Sequence, residues 1–345
     1  MLTNKQFDEF KQELPAIIGI YKKEYSEQKP TNYQTYEKQW ANRLRTALKE
    51  IKTIINQAKQ SIKVRPKLFG RPPKAQAKQK VLILLAKDLA QFSGRKMANL
   101  LALFSLFDDV DISYKTIERA YSDPLVKLII HNMSVILVKS KAIKQADLTG
   151  DGTGYSLTIT KHYRSVREKA GESIKVAQSK SATAEPQTEQ DKSRLFTYAF
   201  ALMDLESHMY VGYGASLKSE RAAFEAALAI MRECGVEAKS VRLDQYYASQ
   251  STAAVFGKDT ALYLIPKSNA TIQGSYAWKD MIWDLISYPL LFLGEYFRRE
   301  NSESGFSADK RCCGWKIWQR KDDRVETATM CKGVWHNLLW LGGAT

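Results

Sequence analysis

The hydrophobic period of this chain changes once, near Lys144. Before that point apolar residues recur at helical spacing; after it, short alternating runs separated by turn residues take over. Val81, Leu84, Leu85, Leu89 and Phe92 share one helical face, and Met97, Leu100, Leu101 and Phe104 form another after the Ser93-Gly94 break. Ser113 is placed to cap a short polar helix holding Tyr114, Lys115, Thr116, Glu118 and Arg119. Residues 93–121 thus match a helix-turn-helix, a pattern shared with many helical bundles, with Lys115 and Arg119 as its DNA-facing side chains.

Beyond Lys144 the elements follow a definite order. Residues 146–154 read as a strand entering a Gly-rich turn, and 155–160 as a second strand. A polar excursion spans 164–194. Strands at 195–204 and 209–215, a helix at 219–234 ended by Gly235, a strand closing at Val241–Asp244, a helix near 249–256, a strand at 261–266 and one long helical stretch at 276–303 complete the series. That order resembles a ribonuclease-H-like mixed sheet. The fold class expected is therefore α/β, with a helical, basic region at 1–139 and a ribonuclease-H-like catalytic domain at 140–345.

Charge divides the chain in the same way. Of 52 Lys and Arg against 37 Asp and Glu, residues 1–139 hold 25 basic and 13 acidic side chains, so most of the net +15 lies there. An excess of this size favours a polyanion, and nucleic acid above a membrane surface. Between Ile51 and Lys87 there is no acidic residue. Residues 59–80, with Lys63, Arg65, Lys67, Arg71 and Lys74 around Gly70, Pro72 and Pro73, read either as a flexible arm following a DNA groove or as a solvated basic linker. The apolar stretches are interrupted by charges and are too polar to span a bilayer. Residues 1–13 carry charges before any apolar run, so no secretory signal is expected and a cytoplasmic, nucleoid-associated address is the default. The four cysteines form no C-x-x-C pair and make neither a disulfide framework nor a zinc site.

Cutting a phosphodiester calls for hard cations, hence for carboxylates. Asp151 closes the first expected strand between glycines, Asp244 ends a later one, and Glu303 lies on the last long helix. The first and fourth strands of this topology are neighbours, so residues 93 apart in sequence can face one site. Around Glu303, Tyr296, Arg299 and Lys310 are spaced with two, three and six residues between successive members. With these gaps the sequence resembles the insertion-sequence DDE transposases, whose last catalytic glutamate sits in a Tyr, Arg, Glu, Lys signature. Asp151 in its Gly-Thr-Gly setting and Asp244 before Tyr-Tyr-Ala-Ser look like that family's two aspartates.

The resemblance covers about residues 140–320, and it implies the rest. Asp151, Asp244 and Glu303 would bind two Mg²⁺, with Mn²⁺ as a substitute. The reaction would be metal-dependent cleavage and strand transfer of double-stranded DNA at terminal inverted repeats. The enzyme would act as a homodimer on paired ends. At helical spacing Tyr296, Arg299 and Glu303 fall in one stripe, where Arg299 can grip a phosphate and Tyr296 can meet a phosphate or a displaced base. Lys310 is expected beyond a turn at Gly305, and Trp278 and Trp283 are further stacking candidates. Two alternatives remain open: a ribonuclease-H-like metal nuclease or resolvase, and a DNA-binding protein with a retired transposase core.

Overall fold

The computed structural model describes residues 3–25, 32–63, 73–104, 112–158 and 196–342. Among these, six helices precede the first strand: α1 (Asn4–Tyr25), α2 (Tyr33–Gln60), α3 (Ala77–Leu89), α4 (Gly94–Phe104), α5 (Tyr114–Ala120) and α6 (Pro124–Ser140). There follow β1 (Gln145–Leu157), β2 (Phe196–Asp204), β3 (Tyr210–Ser216), α7 (Glu220–Cys234), β4 (Glu237–Leu243), a 3-10 turn (Gln245–Tyr247), α8 (Gln250–Ala253) and β5 (Ala261–Tyr263). The chain ends with α9 (Tyr276–Ser287), α10 (Pro289–Phe297), α11 (Glu300–Cys313), β6 (Lys316–Ile317) and α12 (Asp322–Leu341). Side-chain caps start many helices: Ser113 accepts from the Thr116 amide, Asp123 from Leu125 and Ser219 from Ala222. Gly235, at φ +74°, ends α7 in the left-handed conformation that costs glycine least. No described helix is long and apolar enough to cross a membrane.

The sheet is mixed and ordered β3-β2-β1-β4-β5, an order compatible with the expected ribonuclease-H-like core. β1 runs antiparallel to β2 along residues 148–156 and parallel to β4 along 145–150. β6 pairs with β1 only at Ser156 and Leu157. Because β2 occupies one edge of β1, β4 and β6 must share the other. Residues 151–155 therefore lie opposite a gap between two neighbouring strands, and 151–154 are only half-buried. This interruption in the ladder is where the candidate site sits.

Strand alternation assigns the two faces. Phe200, Leu202, Leu148 and Leu243 pack with α1, α7, α9 and α10, whereas Ala199, Ala201, Met203 and Tyr155 pack with α2, α3, α6 and α12. The helices before β1 thus have no core of their own: the first cluster joins Ile51, Leu84 and Ile129 to Trp335 and Leu338 of α12, and the second takes Phe7 and Leu14 of α1. A boundary at 139/140 separates composition, but it does not separate two cores.

Several expectations change. The glycines at 150, 152 and 154 make no turn; β1 is one 13-residue strand, and Asp151 sits in its middle opposite Ala201 rather than at its end. Gly150 is there for clearance, since a Cβ would lie 2.5 Å from Leu243 Cδ2. The stretch 276–303 is three helices instead of one. It breaks at Tyr288, whose φ of −137° suits a residue before proline, and again at Arg298–Arg299. Gly305 lies inside α11, which places Lys310 in the last turn of the helix that carries Glu303. That helix is followed by β6 and α12, so it is not the last long one. The arm assigned to 59–80 is helical at both ends, in α2 through Gln60 and in α3 from Ala77. Arg65, Lys67 and Arg71, and the excursion at 164–194, lie outside the described residues.

Candidate active site

α11 lies along the face of β1 that carries Thr149, Asp151, Thr153 and Tyr155. Thr149 Oγ1 donates to the Arg299 carbonyl at 3.1 Å at one end, and Lys310 Nζ donates to Thr153 Oγ1 at 2.6 Å at the other. Ser302 stands 3.3 Å from Thr149. From Ser302 to Lys310 a helix advances about 12 Å at roughly 1.5 Å per residue, and from Thr149 to Thr153 a strand advances about 13 Å at roughly 3.3 Å. The two rises match, so the helix is pinned along the strand and Glu303 is brought alongside Asp151. Lys310 also rests 5.6 Å from the centre of the Tyr155 ring.

The far side of α11 is held by a buried network. Asp309 accepts from the Tyr210 hydroxyl at 2.7 Å and lies 2.8 Å from His336 Nδ1, while His336 Nε2 stands 2.8 Å from the His208 carbonyl. Asp244 is placed by β4, whose Leu243 pairs with Gly150. Its carboxylate accepts from the Gln245 amide and caps the 3-10 turn. Two residues earlier, the buried Arg242 donates to the Glu295 carbonyl at 2.8 Å, forms an ion pair with the Glu295 carboxylate and so ties β4 to α10. Burial pushes the Glu295 carboxyl up, but hydrogen bonds and charge from Arg242 and Arg298 hold it below the ordinary range.

Asp151 lies in the field of both other acids. Burial pushes the Asp151 carboxyl up to about 6, opposed by the Gly152 amide that donates to it; the negative charges of Glu303 and Asp244 add to the rise and Arg299 counters it. Arg299 lies among all three. Burial disfavours its charge, yet Tyr296, Asp244, Glu303 and Asp151 together favour it, and an ion pair at 3.2 Å links it to Glu303. Its Nε is buried without a hydrogen-bond partner. Burial pulls the Lys310 ammonium down, against the pull of Asp151. A cleft of 540 Å³ opens here, walled by Asp151, Thr153, Glu303, Phe306, Lys310 and Trp315 among others, with Asp244 outside its walls.

Carboxylates are the donor chemistry of a hard divalent cation. Among the described residues, however, no three His, Cys, Asp or Glu side chains stand close enough to cage a metal ion. Glu303 is turned toward Arg299; its side chain is 53% exposed and free to change rotamer. The donors fit such an ion in kind.

The remaining sequence-derived candidates divide by exposure. Tyr296 is 5% exposed and packed in the core, so its ring cannot stack on a base, and its hydroxyl is hydrogen-bonded to Arg299. Trp278 is likewise core, with its indole nitrogen donating to the Thr271 carbonyl, whereas Trp283 is exposed. Lys63, Lys74, Lys115 and Arg119 are all exposed, the last two one helical turn apart on α5. Sequence reasoning missed the Tyr210–Asp309–His336 network and the Arg242–Glu295 pair. Neither leaves a local signal, because the partners are tens of residues apart.

No family model matches the chain. The chain is 36% identical over 331 residues to a probable transposase for insertion sequence element ISA1214 from Archaeoglobus fulgidus, a match covering 95% of each protein.

Proposed function

The chain belongs to the insertion-sequence transposases, and on that membership we propose that it cleaves the inverted-repeat ends of its element and joins them to target DNA at the Asp151, Asp244 and Glu303 cluster. The observation that carries the reading is that Asp244 and Glu303 both act on Asp151, and all three act on Arg299, at the gap that β4 and β6 leave along β1. The strand order supports a ribonuclease-H-like core for it.

In this reading Asp151, Asp244 and Glu303 hold Mg²⁺ or Mn²⁺, two ions per site. Bound there, the ions would supply Lewis acidity to the scissile phosphate and neutralise its developing charge. The protein's own groups do the positioning. The Arg299 guanidinium donates to a phosphate oxygen through the Nη1 that otherwise pairs with Glu303, which frees that carboxylate. Lys310, held at the open edge of β1 by Thr153, neutralises the neighbouring backbone phosphate. The exposed Lys63, Lys74, Lys115 and Arg119, together with Arg65, Lys67 and Arg71, grip double-stranded DNA through its phosphates. A homodimer pairs the two ends, in the cytoplasm at the nucleoid.

The test is Glu303→Gln with end-containing plasmids. Cleavage and strand-transfer products are expected to fall by about a thousandfold or more, while DNA affinity stays within about twofold. Retained cleavage would mean that another residue fills the third carboxylate's place. Cleavage without joining in the wild type would favour a metal nuclease.

A further inference from the structure

After α11 the chain turns at Gly314 and rejoins the sheet as β6. The stretch Lys310–Lys321 holds five basic side chains, two tryptophans and no carboxylate. Ile317 and Gln319 point inward at 1% exposure each, while Trp315 and Trp318 stand 46% and 42% exposed. Lys316 places its ammonium 4.7 Å from the centre of the Trp315 ring. Two half-exposed indoles within four residues make a small apolar patch of the kind that marks a contact site.

The segment is also held in place. Gly314 adopts φ +74°, where a Cβ would lie 2.9 Å from Gln91 Oε1. The Gln91 side-chain amide donates to the carbonyls of Arg311 and Cys312, at 3.4 and 3.3 Å. A 240 Å³ groove runs between this segment and the turn joining α3 to α4, with Gln91, Phe92, Trp315 and Trp318 among its walls. Trp315 also walls the Asp151 cleft, so the two depressions meet at that ring. Lys316 pairs with Ser156, five residues beyond Asp151 on β1. That is about 17 Å of strand, the length of roughly five stacked nucleotides.

We infer that Trp315, Lys316 and Trp318 form a platform for single-stranded DNA, receiving unpaired nucleotides that leave the cleft toward β6. The inference rests on the DNA-processing reading of that cleft. A paired base has both faces covered by its neighbours and offers an indole nothing to stack on, whereas an unpaired base offers a full face, and the acid-free basic flank suits its phosphates. Stacking contributes about 1–3 kcal/mol per base, so each ring accounts for roughly five- to a hundredfold in single-strand affinity.

The experiment uses the full chain without divalent cations, and compares a labelled oligothymidylate with a blunt duplex of equal length by fluorescence anisotropy. Trp315→Ala with Trp318→Ala is expected to lower the ratio of single-strand to duplex affinity by at least tenfold. Trp318→Phe, which keeps a stacking ring and the fold, should retain most of it. Lys316→Ala should reduce the salt slope for the single strand by roughly 0.7. An unchanged ratio in the double variant, or a change confined to the sedimentation behaviour, overturns the platform; the latter outcome would make this face a protein interface. Since the assay needs no cleavage, failure of the catalytic reading would appear in the Glu303→Gln experiment and leave this result standing.

Discussion

At the scale of single residues, Asp151 concentrates the tension in the site. Its carboxyl is pushed up to about 6 by burial and by two like charges, so above that pH its ionised form is held against its preference. The sign follows from linkage: a folded-state carboxyl raised above the ordinary value costs stability once both folded and unfolded forms are ionised, and costs nothing below about pH 4. Asp151→Asn is therefore expected to stabilise the protein by about 1–2 kcal/mol at pH 7 in the presence of a chelator, after allowance for partial solvent screening. The gain should vanish near pH 4, as read from denaturant melts at the two pH values; a destabilised variant at pH 7 would show that the carboxylate is already compensated. Sequence spacing identified Asp151, Asp244, Arg299 and Glu303 as candidates. It did not reveal that Arg299 lies among the acids with a bare Nε, because that depends on how two helices abut at Arg298 and Arg299.

Among the elements, α11 and β4 bring their acids together by different means. The match between helical and strand rise lets Ser302 and Lys310 both reach β1, which could be computed once the pairing was known but not before. β4 is fastened by Arg242, 2% exposed, to the partly exposed Glu295 of α10. Glu295 is held below its ordinary range by that partner, so the stabilisation it brings is present above about pH 5 and is lost as the pH falls through the depressed folded value. Glu295→Ala should cost roughly 2 kcal/mol at neutral pH, less than a fully buried pair would because Glu295 is partly solvated, and much less near pH 3. An equal loss at both pH values would show that packing rather than charge fastens β4. The short Lys316–Ile317 strand escaped sequence reading because two residues carry too little pattern, although the inward alternation of Ile317 and Gln319 was a faint sign of it.

For the whole molecule, the helices before β1 and the last helix form one core with the sheet, so the compositional halves cannot be parted. Residues 140–345 alone would expose the faces of Trp335, Leu338 and Val334 that α2, α3 and α6 cover. That fragment is expected to aggregate or to melt without a cooperative transition, while the full chain melts in one; circular dichroism and calorimetry would check both, and a soluble, cooperatively folding fragment would show that α12 does not need its cover. Local pattern alone determined the helix-to-strand change near Lys144, the caps at Ser113 and Gly235, the run of β2, β3, α7 and β4, and the identity of the candidate acids, because each of these is written in residues close together in the chain. The uninterrupted β1, the gap beside it, the ring of acids about Arg299 and the shared core were decided only in three dimensions. They depend on which distant strands and helices come to lie side by side, and a strand's own residues do not record its neighbour.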